Sequence, residues 1–236
     1  MRSFITLLLF VLISFSINAQ SLIGAWENYL TSEDNEELKN VVIFTDGYYS
    51  STTFNTKTGE FIKTHGGAWE LNGNILTQHL EFNSTNSFPV GNQENHKILI
   101  TETEVKFPLN NQRLKRIDKG EPGKLQGAWL MSGRVKDGKT ELRDSDGPRK
   151  TMKILSGTRF QWIAYNTETK QFMGTGGGTY TTLDDNYTEN IEFFSKDNTK
   201  VGLNLKFNYK LKNGDWNHSG FSSKGDPINE IWSLRE

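Results

Sequence analysis

Two stretches decide the fold when laid over each other. They are "IFTDGYYSSTTFNTKTGEFIKTHGGAWEL" (Ile43–Leu71) and "ILSGTRFQWIAYNTETKQFMGTGGGTYTT" (Ile154–Thr182). One constant offset aligns them without a gap, and the same offset carries "TQHLEF" (Thr77–Phe82) onto "TENIEF" (Thr188–Phe193). Upstream, "LIGAWENY" from Leu22 matches "LQGAWLMS" from Leu125. Three matches in order mark an internal duplication. The second copy has the longer first loop, "GRVKDGKTELRDSDGPRK" (Gly133–Lys150), and the closing segments, "FPLNNQRLKRID" and "DPINEIWSLRE", align without a fixed register. Between the copies lies "DKGEPGK" (Asp118–Lys124), whose Gly, Pro and charges read as a connection. The expected organisation is residues 20–118, a linker at 119–123, and residues 124–236.

The period within each copy is two. "YYSSTTFN" and "RFQWIAYN" read as strands, and "NTKTGEF" and "NTETKQF" as the turns that follow them. "NGN" (Asn72–Asn74) and "LDDN" (Leu183–Asn186) are hairpin turns of the Asn/Asp/Gly kind. "VGLNLKFNYKL" alternates cleanly, and "NGDW" turns the chain again. The pattern predicts an all-β chain of two duplicated antiparallel meanders with six to eight strands each. Edges of such sheets must be hidden, so closure into two barrels is expected.

Composition narrows the setting. Of 236 residues none is cysteine, so packing alone must hold the fold. A net charge of −1 gives no bulk attraction to nucleic acid. "MRSFITLLLFVLISFSINAQ" carries Arg2, an apolar run and Ala19, the pattern of a signal peptide over residues 1–19. The run is too short to span a bilayer. The mature chain is therefore expected to be exported, periplasmic or extracellular, without a membrane span.

Each copy opens with Gly-x-Trp, at Gly24-Ala25-Trp26 and Gly127-Ala128-Trp129, and each ends near a basic residue, Arg116 and Arg235. In these features the chain resembles the lipocalin-like, calycin-type barrels found in exported proteins of Gram-negative bacteria. The resemblance implies that the opening Trp plugs the barrel floor, that the late Arg packs across it, and that a ligand pocket lies inside.

The candidate site follows from "NYTENIEFF" in the second copy. Alternation puts Tyr187, Glu189, Ile191 and Phe193 on one face, and the apolar pair makes that face inward. Glu189 is then a carboxylate inside a barrel, which must be paired, hydrogen-bonded or neutral. It reads either as a structural partner of Arg159 or as an acid–base or ligand-binding group; the first copy has Gln78 there. Tyr180, Tyr187, Trp162 and Trp216 surround the position as core filling or as sugar-stacking faces. Trp216 sits beside a polar turn and is the least core-like. His218 reads as a solvated group or as a catalytic partner of Glu189 at a barrel mouth.

No histidine spacing fits a metal, "TGGG" (Thr175–Gly178) lacks the Lys-Ser/Thr end of a phosphate loop, and no nucleophile motif stands out. Neither a metal nor another cofactor is expected. The long loop with Arg134, Arg143, Arg149 and Lys150 is either solvated or a clamp for a carboxylate or sulfate. Two main functions remain open. The first is binding of a small polar ligand, foremost an acidic oligosaccharide in polysaccharide utilisation. The second is a lyase or dehydratase acting by β-elimination on a uronic acid. An interaction module with dead pockets is the third possibility.

Overall fold

The computed structural model describes residues 21–235, so the signal-peptide segment lies outside the described residues. The first half contributes β1 (Gly24–Thr31), β2 (Glu37–Phe44), β3 (Tyr48–Asn55), β4 (Phe61–Asn72), β5 (Ile75–Asn83), β6 (Gln93–Lys97), β7 (Leu99–Ile100), β8 (Glu104–Phe107) and β9 (Gln112–Asp118). The second contributes β10 (Gly127–Lys136), β11 (Lys139–Leu142), β12 (Arg149–Leu155), β13 (Arg159–Asn166), β14 (Phe172–Leu183), β15 (Asn186–Phe194), β16 (Asn204–Lys212), β17 (Asp215–Phe221) and β18 (Pro227–Leu234). Each half is one nine-stranded antiparallel sheet, more strands than the pattern predicts.

The second sheet closes because β10 pairs with β18. In the first, β6 pairs with β5 and β7 with β8, and only the buried Ile98 separates β6 from β7. One bent strand thus spans the gap and joins the two ends of that sheet. The long loop of the second copy is partly a hairpin, with Gly133–Lys136 paired to Lys139–Leu142.

Turn chemistry explains the short connections. Asp184 and Asp185, and likewise Asn213 and Gly214, are pairs with positive φ between directly paired strand ends. That geometry matches strand twist and suits Asn, Asp and Gly. Asn55 and Asn166 each accept from two backbone N–H groups of the next turn, an identical device in both copies.

Each opening Trp sits inside its barrel. Trp26 donates through Nε1 to the Leu22 carbonyl at 2.8 Å, and Trp129 to that of Leu125 at 2.9 Å. The late arginines differ. The Arg116 guanidinium lies 3.9 Å from the centre of a Trp26 ring, as the resemblance implies. Arg235 instead leaves its barrel: it grips Glu81 of the first half at 2.8 Å through each of two nitrogens and donates to Tyr165. Burial works against the guanidinium charge, but Glu81 and the neighbouring tyrosines outweigh it and raise the pKa of Arg235.

The halves pack through apolar outer faces. Val41, Ile43, Phe54 and Phe82 of the first meet Met152, Ile154, Ile163, Tyr165 and Phe193 of the second. The contacts repeat across a pseudo-twofold relation: Phe54 stacks on Phe193 at 5.1 Å, its counterpart Tyr165 meets Phe82 at 4.9 Å, and Phe61 stacks on its own counterpart Phe172 at 6.1 Å. This is the self-complementary geometry of a symmetric dimer, written into one chain.

The expected inward position of Phe193 is therefore corrected. A bulge in the β14–β15 ladder at Gly177/Gly178 switches faces after Ile191, and the first half repeats it at Gly66/Gly67. A Cβ at Gly178 would collide with the Asn190 carbonyl, and one at Gly67 with that of His79, so only glycine permits the bulge.

The connection between the halves is tied down. The buried Asp118 carboxylate accepts from the backbone of Ala25, Gly120, Gly157 and Thr158 and from the hydroxyls of Ser156 and Thr158, at 2.6–3.2 Å.

Because the interface is self-complementary, Phe82→Ala and Phe193→Ala should each destabilise the protein by about 3–5 kcal/mol. Both halves should still unfold in one transition. Urea denaturation followed by Trp fluorescence and circular dichroism checks this; two separate transitions in the wild type would contradict it.

Candidate functional site

Inside the second barrel the strands bring together charges that the sequence keeps far apart. Glu189 is 4 % exposed and lies on β15 opposite Tyr180 and Leu205. Its partner is Lys153 on β12, also buried, whose Nζ donates to Oε1 at 2.7 Å. Four rings surround the ammonium: Tyr187 at 5.0 Å, Trp216 at 5.1 Å, Trp232 at 5.4 Å and Phe207 at 5.7 Å. Ring faces attract a cation, and here they do so away from water. The expected partner, Arg159, is elsewhere: it forms a two-pronged pair with Glu192 at 2.8 and 2.5 Å. Glu192 is the residue left without a β14 partner at the bulge.

His218 on β17 is buried rather than solvated. Its Nδ1 lies 3.2 Å from Oε2 of Glu230 on β18, directly opposite, and Trp232 Nε1 donates to the same oxygen at 3.1 Å. Its Nε2 is buried with no hydrogen-bond partner among the described residues. Burial and then the Lys153 charge lower the His218 pKa, against the pull of Glu230 and Glu189, so the ring is neutral near pH 7. Burial tends to raise the Glu230 pKa, but His218, Lys153 and Trp232 outweigh it and lower it. Tyr187, fully buried, is raised by burial and then by Glu189; its hydroxyl meets that carboxylate only loosely and has no partner in hydrogen-bonding geometry.

A pocket of about 240 Å³ opens over this floor. Lys153, Glu189, His218 and Glu230 line it, with Trp162, Phe194, Phe207 and Trp232 among its walls. A larger cleft of about 560 Å³ lies between the barrels, but the only cation among its described lining residues, Arg235, is already held by Glu81. The smaller pocket is where the chemistry converges.

Of the sequence candidates, Glu189, His218 and Trp162 line this pocket. Trp216 and Tyr187 lie beneath it in the barrel core, both fully buried, so Trp216 is core and not rim. Tyr180 donates to the Ser156 carbonyl at 2.6 Å, away from the pocket lining. Gln78 sits half-buried in the other barrel, opposite Trp69 and Glu94. Lys153 and Glu230 complete the site and are absent from the sequence candidates. The repeat itself signals Lys153, whose counterpart at the same offset, directly before Ile43 and Ile154, is Val42. No comparable signal marks Glu230, because the last strands have no fixed register.

Among the described residues no cluster of His, Cys, Asp and Glu could hold a metal ion. No helix there is long and apolar enough to cross a membrane.

The matched family coincides with this barrel. Residues 124–234 match the family model DUF4488, a domain of unknown function. No curated protein matches the chain. The DUF4488 match thus spans β10 to β18, including Lys153, Glu189, His218 and Glu230.

Two predictions follow from the pair and the imidazoles. Lys153→Met or Glu189→Gln alone strands a buried charge and should cost about 3–5 kcal/mol. Installing the first barrel's residues together, Lys153→Val with Glu189→Gln, should recover most of that loss in a urea double-mutant cycle. The second concerns pH. Burial holds His65 of β4 down at about 4, and His218 is lowered as well. Both folded pKa values lie below the unfolded value of about 6.5, so the unfolded chain binds more protons in that window. Stability should therefore be full above pH ~6.5 and fall as pH drops toward 4. A double His65→Gln/His218→Gln variant should flatten the slope; an unchanged slope would refute the assignment.

Proposed function

We propose that the chain is an exported, lipocalin-like binding protein whose second barrel holds a small polar ligand, one residue of an acidic oligosaccharide. One observation carries this reading. Where the second barrel buries Lys153 and Glu189, the first has Val42 and Gln78 in the same fold. The fold does not need the pair, and a buried ion pair is rarely kept for stability. Its place at the floor of a pocket favours a role with a ligand.

Size and lining support the ligand class. About 240 Å³ is below the roughly 300–1,000 Å³ of drug-sized sites, which suits one ring and not a chain. Trp162, Phe207 and Trp232 offer faces for sugar C–H groups. Lys153 and Glu189 offer a donor and an acceptor for hydroxyls and a carboxylate, with no cofactor required. Trp26 under Arg116 supports the lipocalin-like reading, and residues 1–19 support export to the periplasm or medium.

A second reading has its own observation. His218 is neutral, is held at Nδ1 by Glu230, and has a free Nε2, the arrangement of a general base. In that reading a uronic acid undergoes β-elimination. His218 takes the proton from the carbon beside the carboxylate, the C–H electrons form a C=C bond, and the β C–O bond breaks as its oxygen takes that proton back from the His218 imidazolium. Lys153 offsets the carboxylate charge, and Glu189 holds Lys153 in place.

Calorimetry with glucuronate, galacturonate, glucose and their short oligomers, with product masses read in parallel, separates the two. Saturable uronate binding with unchanged masses, weakened about tenfold or more in Lys153→Val/Glu189→Gln, is the expected result. A product lighter by one water, or a cleaved chain, with turnover lost in His218→Gln, would establish the second reading. Absence of both would overturn the sugar assignment.

A further inference from the structure

The strands that build the pocket wall continue outward into three arginines. On β12, Arg149, Thr151 and Lys153 alternate on one face; Thr151 and Lys153 line the pocket, and Arg149 extends that face beyond it. On β10, Arg134 stands directly opposite Glu230, another lining residue. Arg143, just past β11, places Nη1 3.1 Å from the sulfur of Met131, which also lines the pocket. Three separate elements thus step from the pocket wall to a guanidinium.

The three are close enough to feel one another. Burial and then the charges of Arg149 and Arg134 lower the Arg143 pKa, opposed by Glu230. Arginine nevertheless stays charged at any ordinary pH. None of the three has an ion-pair partner among the described residues, whereas Arg113, Arg159 and Arg235 each hold a glutamate and Arg116 donates to carbonyls over Trp26. None of the nearby acids closes on them in an ion pair. Glu230 is engaged by His218 and Trp232, and Asp144 accepts from the backbone of Asp146 and Gly147. Glu141 faces Arg134 across the hairpin without an ion pair. Lys150 donates to the carbonyls of Ser145 and Asp146 and pins the loop that carries Arg143 and Arg149. Like charges gathered and left unpaired oppose folding, and an anion would relieve them.

We infer that Arg134, Arg143 and Arg149 form an outer anion subsite at the mouth of the second barrel, which takes a carboxylate or sulfate ester on the part of the ligand projecting from the Lys153 pocket. Guanidinium forks suit both groups. The inference rests on the pocket reading for the inner residue of the ligand, and it names the class of the whole: an oligosaccharide with a second anionic group on a neighbouring sugar.

The test has two arms on the purified protein. In the first, inorganic sulfate is titrated against chloride of matched ionic strength, and guanidinium NMR signals are read in wild type and in Arg143→Gln/Arg149→Gln. A saturable sulfate-specific shift that the variant loses is expected; no such shift, or one the variant retains, overturns the subsite. In the second, galacturonate and trigalacturonate are compared by calorimetry. The variant should weaken the trimer about tenfold and leave the monomer unchanged; equal effects on both overturn the proposal. A sulfate shift without any uronate binding would sink the sugar reading of the pocket and leave the anion subsite supported. Uronate binding with no sulfate shift and an unaltered trimer affinity would do the reverse.

Discussion

The structure depends on one self-complementary apolar face. Phe54 against Phe193, Tyr165 against Phe82, and Phe61 against Phe172 join the two barrels back to back. Aromatic pairs add about 0.5–1.5 kcal/mol each beyond the area they bury. A sheet with apolar residues on its outer face must cover them, and a second copy of the same face is the cover that duplication supplies. The glycine bulges belong to this constraint. They turn Phe82 and Phe193 out of their barrels, and at the same point leave Glu81 and Glu192, each paired with an arginine, without a partner on the preceding strand. The arginines are not counterparts: Glu192 pairs with Arg159 of its own barrel, and Glu81 with Arg235 of the other. The faces repeat, while the polar contacts beside them have diverged.

Joining the barrels outside leaves their interiors free to diverge. The first retains Val42 and Gln78, and the second has Lys153 and Glu189 at the same positions. Both barrels still close, and both pin their opening Trp to a carbonyl four residues back. The fold thus closes with or without these charges. They sit in a low-dielectric aromatic shell, where a pair is strong once formed and a lone charge is costly. Lys153 also acts on its surroundings, since its charge lowers the pKa of His218 and of Glu230. The pocket floor is one coupled electrostatic unit built from β12, β15, β17 and β18, and the arginines of β10 and β12 extend positive charge from its wall to the rim.

Local pattern carried the fold a long way. The repeat, the period of two and the Asn/Asp/Gly turns determined an all-β chain of two antiparallel barrels, because strand periodicity and turn chemistry are properties of neighbouring residues. Alternation also put Glu189 inside, since that side-chain rule holds along an unbroken strand. It failed two residues beyond Ile191, where a bulge that depends on close backbone approach at Gly178 reversed the faces. The partner of Glu189, the burial of Trp216 and His218 and the excursion of Arg235 to the other barrel were decided only by the tertiary structure. Each is a contact between strands far apart in the chain, and which residues face each other across a closed barrel is set by register and closure. No single strand of the sequence contains that information.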